Sequence, residues 1–461
     1  VTSRERLYTL RRPRRSFVRR LSRAGRRGIR RMRTRVSQSR RALKIACASA
    51  VWTALAVVLS GSSPLHAQLG AFGLYEVGLP NQGESYAGMA ATADNAGTSY
   101  LNPAGMMRLK NTQLLFGAQM FDYQTHFRPE SGTTVSGSDG GDAGGIYPAG
   151  GVYFVVKPDE DYRIGFSVNS PFGYDVRYED DWVGRYFVQD WRFYTVDMRP
   201  SFAYRIDDQF SIGVGADVYY AYNSENIALK TQTPGLPDGS YSIETDTWAL
   251  GWDAGLLYEF TPETRVGATY RNRTALKMKG QPTFDEQDPT HNPTFNSSRY
   301  DDRFALPAGV NVSLYHDFNP VWALLMDFGW TNWSAFDHEP TSLAPMPTNV
   351  ARTWHDTYRG GIGARYRFAE HWMLQSGYSY ESSPVNKDER TPDLPMDQQH
   401  RISIGVQHEV SKSVSWGAAY TFAYLGGAPI DRSLDATSGT LDGHYSPNQL
   451  QTVSLTFSFG F

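Results

Sequence analysis

The chain has 461 residues, one cysteine and a formal charge of −2, but that balance joins two unlike parts. Of the 45 Lys and Arg, 18 lie in residues 1–67 beside one acid, Glu5, so residues 68–461 hold 27 bases against 46 acids, a net of −19. With Cys47 confined to the first part, a thiol nucleophile, a Cys-ligated zinc and a disulfide framework are excluded for the body, and its acidity argues against nucleic acid as a partner.

In chain order, Arg40, Arg41 and Lys44 precede an apolar run from Ile45 to Leu59, followed by Leu65-His66-Ala67. Positive flank, short apolar run and small-residue cleavage site are the parts of a secretory signal peptide, with cleavage expected before Gln68. The run is too short and Ala-rich for a membrane span, and no later stretch holds 18 consecutive apolar residues. The Arg-rich residues 1–31 could form a nucleic-acid arm. The preferred expectation is that Met32 is the true start and residues 1–67 are a basic extension plus signal peptide.

Residues 68–111 are rich in small side chains and lack strand alternation. SYAGMAATADNAG is expected to form a short helix, and Asn102-Pro103 offers a cap and an N1 proline to a second, AGMMRL. A compact segment of this kind ahead of a wide barrel reads as a plug, with a periplasmic tail as the alternative.

Residues 112–461 alternate with period two. In the terminal stretch Val453, Leu455, Phe457, Phe459 and Phe461 share one face, and Thr452, Ser454, Thr456, Ser458 and Gly460 the other. The stretches from Trp248 to Tyr258, Trp322 to Trp330 and Trp416 to Tyr424 repeat the pattern with aromatics at their ends. Fourteen such segments are expected, beginning near residues 112, 150, 162, 192, 209, 245, 264, 303, 321, 357, 371, 400, 413 and 449. Short turns and long loops alternate between them. An even strand count, aromatic ends and a short–long rhythm predict an all-β membrane protein: an antiparallel transmembrane barrel of about 14 strands in a Gram-negative outer membrane.

Parity then sorts the charges. Arg199 and Arg205 fall on the lumen face of the fourth strand, Arg265, Arg271 and Arg273 on that of the seventh, and Arg359, Arg365 and Arg367 on that of the tenth. A lipid-facing arginine at mid-membrane would cost about 2–4 kcal/mol. These residues either bind a ligand carboxylate or pair with lumen acids such as Asp197, Asp217, Asp253 and Asp327. The second long loop crowds Phe172, Tyr174, Trp182, Tyr186, Phe187, Trp191 and Phe193 together, as a hydrophobic groove or as a loop core.

The ordered set of SYLNPAGMMRL, Pro171-Phe172-Gly173, Trp182-Val183-Gly184-Arg185-Tyr186, Pro200-Ser201-Phe202-Ala203-Tyr204-Arg205, SIGVGADV, TRVGATYR and Arg390-Thr391-Pro392 with Pro395 resembles the FadL/TodX family of outer-membrane transporters for long-chain fatty acids and other hydrophobic compounds. The resemblance covers most of residues 70–461. It implies a fourteen-stranded barrel over residues 112–461, closed by a hatch at 68–111. It places Asn102, Pro103 and Ala104 in the lumen as gating residues. It also implies capture of the ligand on extracellular loops and lateral release past a kinked third strand, here Tyr162–Ser170. The expected function is passive uptake of long-chain fatty acids or other hydrophobic molecules, without enzymatic activity, metal or cofactor. The alternatives are an outer-membrane hydrolase of lipase or deacylase type and a structural or adhesive barrel. Candidate ligand residues are Arg199, Arg205, Phe172, Trp182, Arg185 and Tyr186. Phe461 is the expected signal to the barrel-assembly machinery. Outer-membrane lipid and lipopolysaccharide are the expected surroundings, and the barrel is expected to be a monomer.

Overall fold

The computed structural model of the chain describes residues 73–231, 233–285, 300–335, 353–433 and 439–461. The expected signal peptide and its cleavage point lie outside them.

Fourteen antiparallel strands close into one barrel, as the alternation predicts. The first six are Gln113–Pro129, Gly145–Val156, Tyr162–Asn169 continued by Gly173–Arg177, Asp190–Arg205, Phe210–Leu229 and Gly239–Glu259. The seventh and eighth are each interrupted once: Thr264–Arg271 with Thr274–Gly280, and Tyr300–Leu306 with Gly309–Asp317. Trp322–Thr331, Thr357–Ala369, Trp372–Glu381, Gln399–Ser411, Val414–Tyr424 and Thr440–Gly460 complete the wall. Closure is between the ends of the chain: the first strand pairs with the second and, from Gln113↔Gly460 to Pro129↔Gly443, with the fourteenth.

The pleat separates two environments. Val453, Leu455 and Phe457 are exposed on the outer face, while Thr452, Ser454 and Thr456 between them are buried. Trp248, Leu250, Trp252 and Leu256 repeat this on the sixth strand, Met326 and Phe328 on the ninth. An apolar exterior and a polar interior suit lipid outside and a filled lumen within. Several strands exceed the 9–11 residues needed to span a bilayer. The fifth has 20 residues and the sixth and fourteenth 21 each. The surplus projects beyond the long-loop end, which is why these strands begin or end well outside the stretch that alternation alone marks.

Inside the wall lie three short helical turns, Pro80–Glu84, Thr98–Leu101 and Pro103–Arg108. The cap at Asn102 forms: its side chain accepts from the Ala104 N–H at 3.1 Å. The helix expected over SYAGMAATADNAG does not. Ser85, Tyr86 and Ala93 have φ of 52°, 60° and 47°, and Gly88 has 71°. A left-handed residue ends a helix, and four in this stretch bend the segment around the inner wall instead.

Candidate functional site

Wall arginines reach the inner segment, among them Arg205, Arg265, Arg359 and Arg365, which strand parity places inward, and Arg163. Arg265 donates to the carbonyls of Ala91 (2.6 Å) and Thr92 (2.7 Å), and Arg205 to that of Met107 (2.6 Å). Arg163 donates to the Leu109 carbonyl at 3.2 Å. Arg365 bridges Glu84 and Asp94, and Arg359 pairs with Asp327 and donates to the Ser85 carbonyl. These bonds satisfy carbonyls that a short irregular segment leaves without partners. Asn102 adds a tie from the other side, donating through Nδ2 to the carbonyls of Ala90 (2.6 Å) and Leu256 (2.9 Å). Pro103 and Ala104 are buried beside it. Wall glycines let the backbones meet: a Cβ at Gly255 would overlap the Asn102 side chain, and one at Gly267 the Ala90 carbonyl.

Above this segment lies a cavity of about 180 Å³. Its apolar lining includes Leu74, Met89, Leu101, Phe172 and Trp333. Its polar lining includes Tyr75, Tyr100, Arg199, Asp253, Arg271 and Glu381. The charges fall in two groups. In one, Arg199 meets Asp253 and Asp217 (3.4 Å to the latter), donates to the Tyr100 carbonyl and lies over the Tyr100 ring at 5.3 Å. Arg271 lies over the same ring at 4.7 Å and donates to its hydroxyl at 2.9 Å. In the other, Arg359 and Arg401 lie over Tyr75 at 4.6 and 5.2 Å, and Arg401 meets Glu76 at 3.2 Å and Glu381 at 3.9 Å.

One side of the cavity reaches Pro171 and Phe172, where the third strand is broken between Asn169 and Gly173. The Pro171 carbonyl is turned to the Leu74 N–H at 2.7 Å, and the Phe172 N–H donates to Thr195 Oγ1 at 3.2 Å. Second and third strands pair only from Val152↔Val168 to Val156↔Ile164. Beyond that, Gly145–Gly151 pairs with the first strand, and Gly173–Arg177 with the fourth. The ladder between these neighbours is therefore open above Val152↔Val168 and closes again only where the Arg177 N–H donates to the Ala143 carbonyl at 2.9 Å.

The aromatic loop residues form a core over the barrel mouth. Trp182 is fully buried, donates from Nε1 to the Val188 carbonyl at 2.7 Å and stacks on Tyr178 at 3.8 Å. Tyr178 in turn donates to the Pro392 carbonyl at 2.7 Å, joining this loop to the one carrying Arg390. Arg185 pairs with Asp238 at 3.1 Å and Tyr186 donates to the same carboxylate at 2.8 Å. Burial first, then that hydrogen bond, pushes the Tyr186 phenol up to about 12, so it remains a donor at physiological pH. Of the expected ligand residues, Phe172 and Arg199 therefore line the cavity. Arg205 holds the inner segment, and Trp182, Arg185 and Tyr186 build the cap. Parity could orient Asp253, Arg271 and Glu381 but not show that they meet. Tyr75 and Tyr100 carry no such signal, because the inner segment has no period from which a facing direction can be read.

Residues 61–461 match the family of outer membrane protein transport proteins designated OMPP1/FadL/TodX. The chain is 28% identical over 381 residues to the long-chain fatty acid transport protein of Salmonella typhi, covering 76% of this chain and 86% of that one. It is 23% identical over 407 residues to outer membrane protein P1 of Haemophilus influenzae, with 79% and 87% covered. In fold it is similar to a Pseudomonas aeruginosa FadL homologue, with a TM-score of 0.77 at 20% identity, covering 85% of this chain and all of that one. The Ralstonia pickettii toluene transporter TbuX shares the fold at a TM-score of 0.61 and 18% identity, with 85% and 99% covered.

Proposed function

Because the chain belongs to the OMPP1/FadL/TodX family of outer-membrane transport proteins, we propose that it takes up hydrophobic small molecules passively across the outer membrane of a Gram-negative bacterium. The observation that carries this is the cavity between the inner segment and the broken third strand. Phe172 and Leu74 receive an apolar body there, a few arginines and acids face it, and the open ladder beside it leads out sideways. Residues 68–111 act as a hatch, whose described part, 73–111, is seated on wall glycines and held by wall arginines, with Asn102, Pro103 and Ala104 buried in it. The ligand passes the loop cap, rests in the cavity and leaves through the wall rather than through the hatch. The exported chain is assembled as a monomer among outer-membrane lipid and lipopolysaccharide, with Phe461 presented to the barrel-assembly machinery. No covalent chemistry is required of any residue in this path, which sets the reading apart from a barrel hydrolase.

Relatives are named for long-chain fatty acid and for toluene, so both classes belong in the test. Expressed in a Gram-negative host lacking its own channels of this kind, the protein is expected to restore uptake of a labelled fatty acid or a labelled monoaromatic hydrocarbon. Uptake of neither, from a barrel shown to be folded by its heat-modifiable migration, overturns the proposal. Release of product from an ester substrate by the purified barrel would favour the hydrolase.

A further inference from the structure

We infer that the cavity selects an uncharged hydrophobic ligand and disfavours a carboxylate; this deepens the uptake reading and rests on it. A carboxylate head group needs a guanidinium whose charge is not already matched. Each of the two charged groups at the cavity contains three acids and two arginines. Asp197, Asp217 and Asp253 stand against Arg199 and Arg271, and Glu76, Asp327 and Glu381 against Arg359 and Arg401. All six acids are buried.

Arg199 is engaged by Asp217, Asp253 and the Tyr100 carbonyl. Arg359 is taken by Asp327 and the Ser85 carbonyl, and Arg401 by Glu76. Arg271 alone among these four has no carboxylate within ion-pair distance among the described residues. It stands directly beside Asp253, its register partner on the neighbouring strand, which also lines the cavity. A ligand carboxylate on Arg271 would thus lie beside a buried carboxylate, and like charges in a low-dielectric site oppose each other. Leaving Asp197 aside, Asp217 and Asp253 still match Arg199 and Arg271, with no positive charge to spare. A neutral acceptor, such as a hydroxyl, a carbonyl or an aromatic face, uses the free edge of Arg271 without adding charge. The tyrosine rings of Tyr75 and Tyr100 are already covered by arginines, and Phe172, Leu74, Met89, Leu101 and Trp333 line the space for the apolar body.

The test compares two ligands that differ only at the head. Purified barrel in detergent at pH 8 is titrated with 1-decanol and with decanoate, following tryptophan fluorescence, to which Trp333 in the cavity contributes. The alcohol is expected to bind about tenfold or more tightly than the ionised acid. Asp217→Asn removes one negative charge behind Arg199 without entering the cavity lining. It is expected to shift the acid-to-alcohol ratio toward the acid by about threefold or more. Decanoate binding as tightly as decanol in the parent protein, or a ratio unmoved in a folded Asp217→Asn barrel, overturns the inference while leaving the uptake reading in place. If neither ligand binds, the uptake reading fails and the inference falls with it.

Discussion

Arg199 illustrates how one lumen residue answers two requirements. Turned outward it would sit in lipid; turned inward it needs compensation, because both it and its partners are almost wholly removed from solvent. Asp217 and Asp253 provide that from the fifth and sixth strands, and the Tyr100 carbonyl from the hatch. Arg199→Ala leaves those acids buried without their partner, at a cost of about 3–5 kcal/mol. The unfolding midpoint of the purified barrel in detergent is expected to fall, and Arg199→Ala with Asp253→Asn to recover part of the loss. Arg128→Ala, which breaks an exposed pair with Asp139, is expected to change it little. An equal effect of the two arginine substitutions would show that burial is not what makes Arg199 matter. The sequence signalled the direction of this side chain through Met198, Phe202 and Tyr204 around it, but not its partners.

At the scale of elements, hatch and wall meet through backbone rather than through side chains alone. Gly267 on the seventh strand faces the Ala90 carbonyl, so a methyl group added there must push the hatch away. Gly360 on the tenth strand has nothing within 4 Å of the place a Cβ would take. Gly267→Ala is therefore expected to loosen the hatch and raise ion conductance in planar bilayers, and Gly360→Ala to leave it at the parent level. Equal conductance in all three would mean that the hatch absorbs the displacement and that the glycine is not its seat. The same contact explains the missing helix of residues 85–93. A regular helix would present side chains where the wall offers only room for backbone, and the chain turns left-handed at Ser85, Tyr86, Gly88 and Ala93 instead.

Over the whole molecule, an apolar exterior, a charged lumen and a packed loop cap surround, among the described residues, a cavity with a largely apolar lining. The hatch is tied at many points along its length, from Arg401 at Glu76 to Arg163 at Leu109. A passage that leaves the wall through the third-strand break does not require those ties to be broken. Deletion of residues 68–111 removes hatch and ties together, and a fourteen-stranded wall is wide enough to conduct once empty. Single-channel conductance of the deletion, in a barrel still heat-modifiable on gels, is expected to rise well above that of the parent. No rise would mean that the loop cap or the remaining lumen side chains close the channel by themselves.

Period-two alternation is a local property of a pleated chain, so the strand count, the lipid face, the inward direction of arginines such as Arg199, Arg265 and Arg359 and the resemblance to a transport family were legible in residue order. Arg273, by contrast, lies exposed in the break of the seventh strand and donates to the Ala335 carbonyl. The cap at Asn102 was legible for the same reason, being a bond within three residues. Which acid compensates which arginine was not, since Arg199, Asp217 and Asp253 lie on three different strands and meet only because register brings them together. Nor was the role of Trp182: an aromatic cluster reads alike as an open groove or a closed core until neighbouring loops, here through Pro392 and Tyr445, are seen to cover it. Strand faces follow from covalent geometry, whereas the charge balance of the cavity depends on long-range register, and only the tertiary structure decides it.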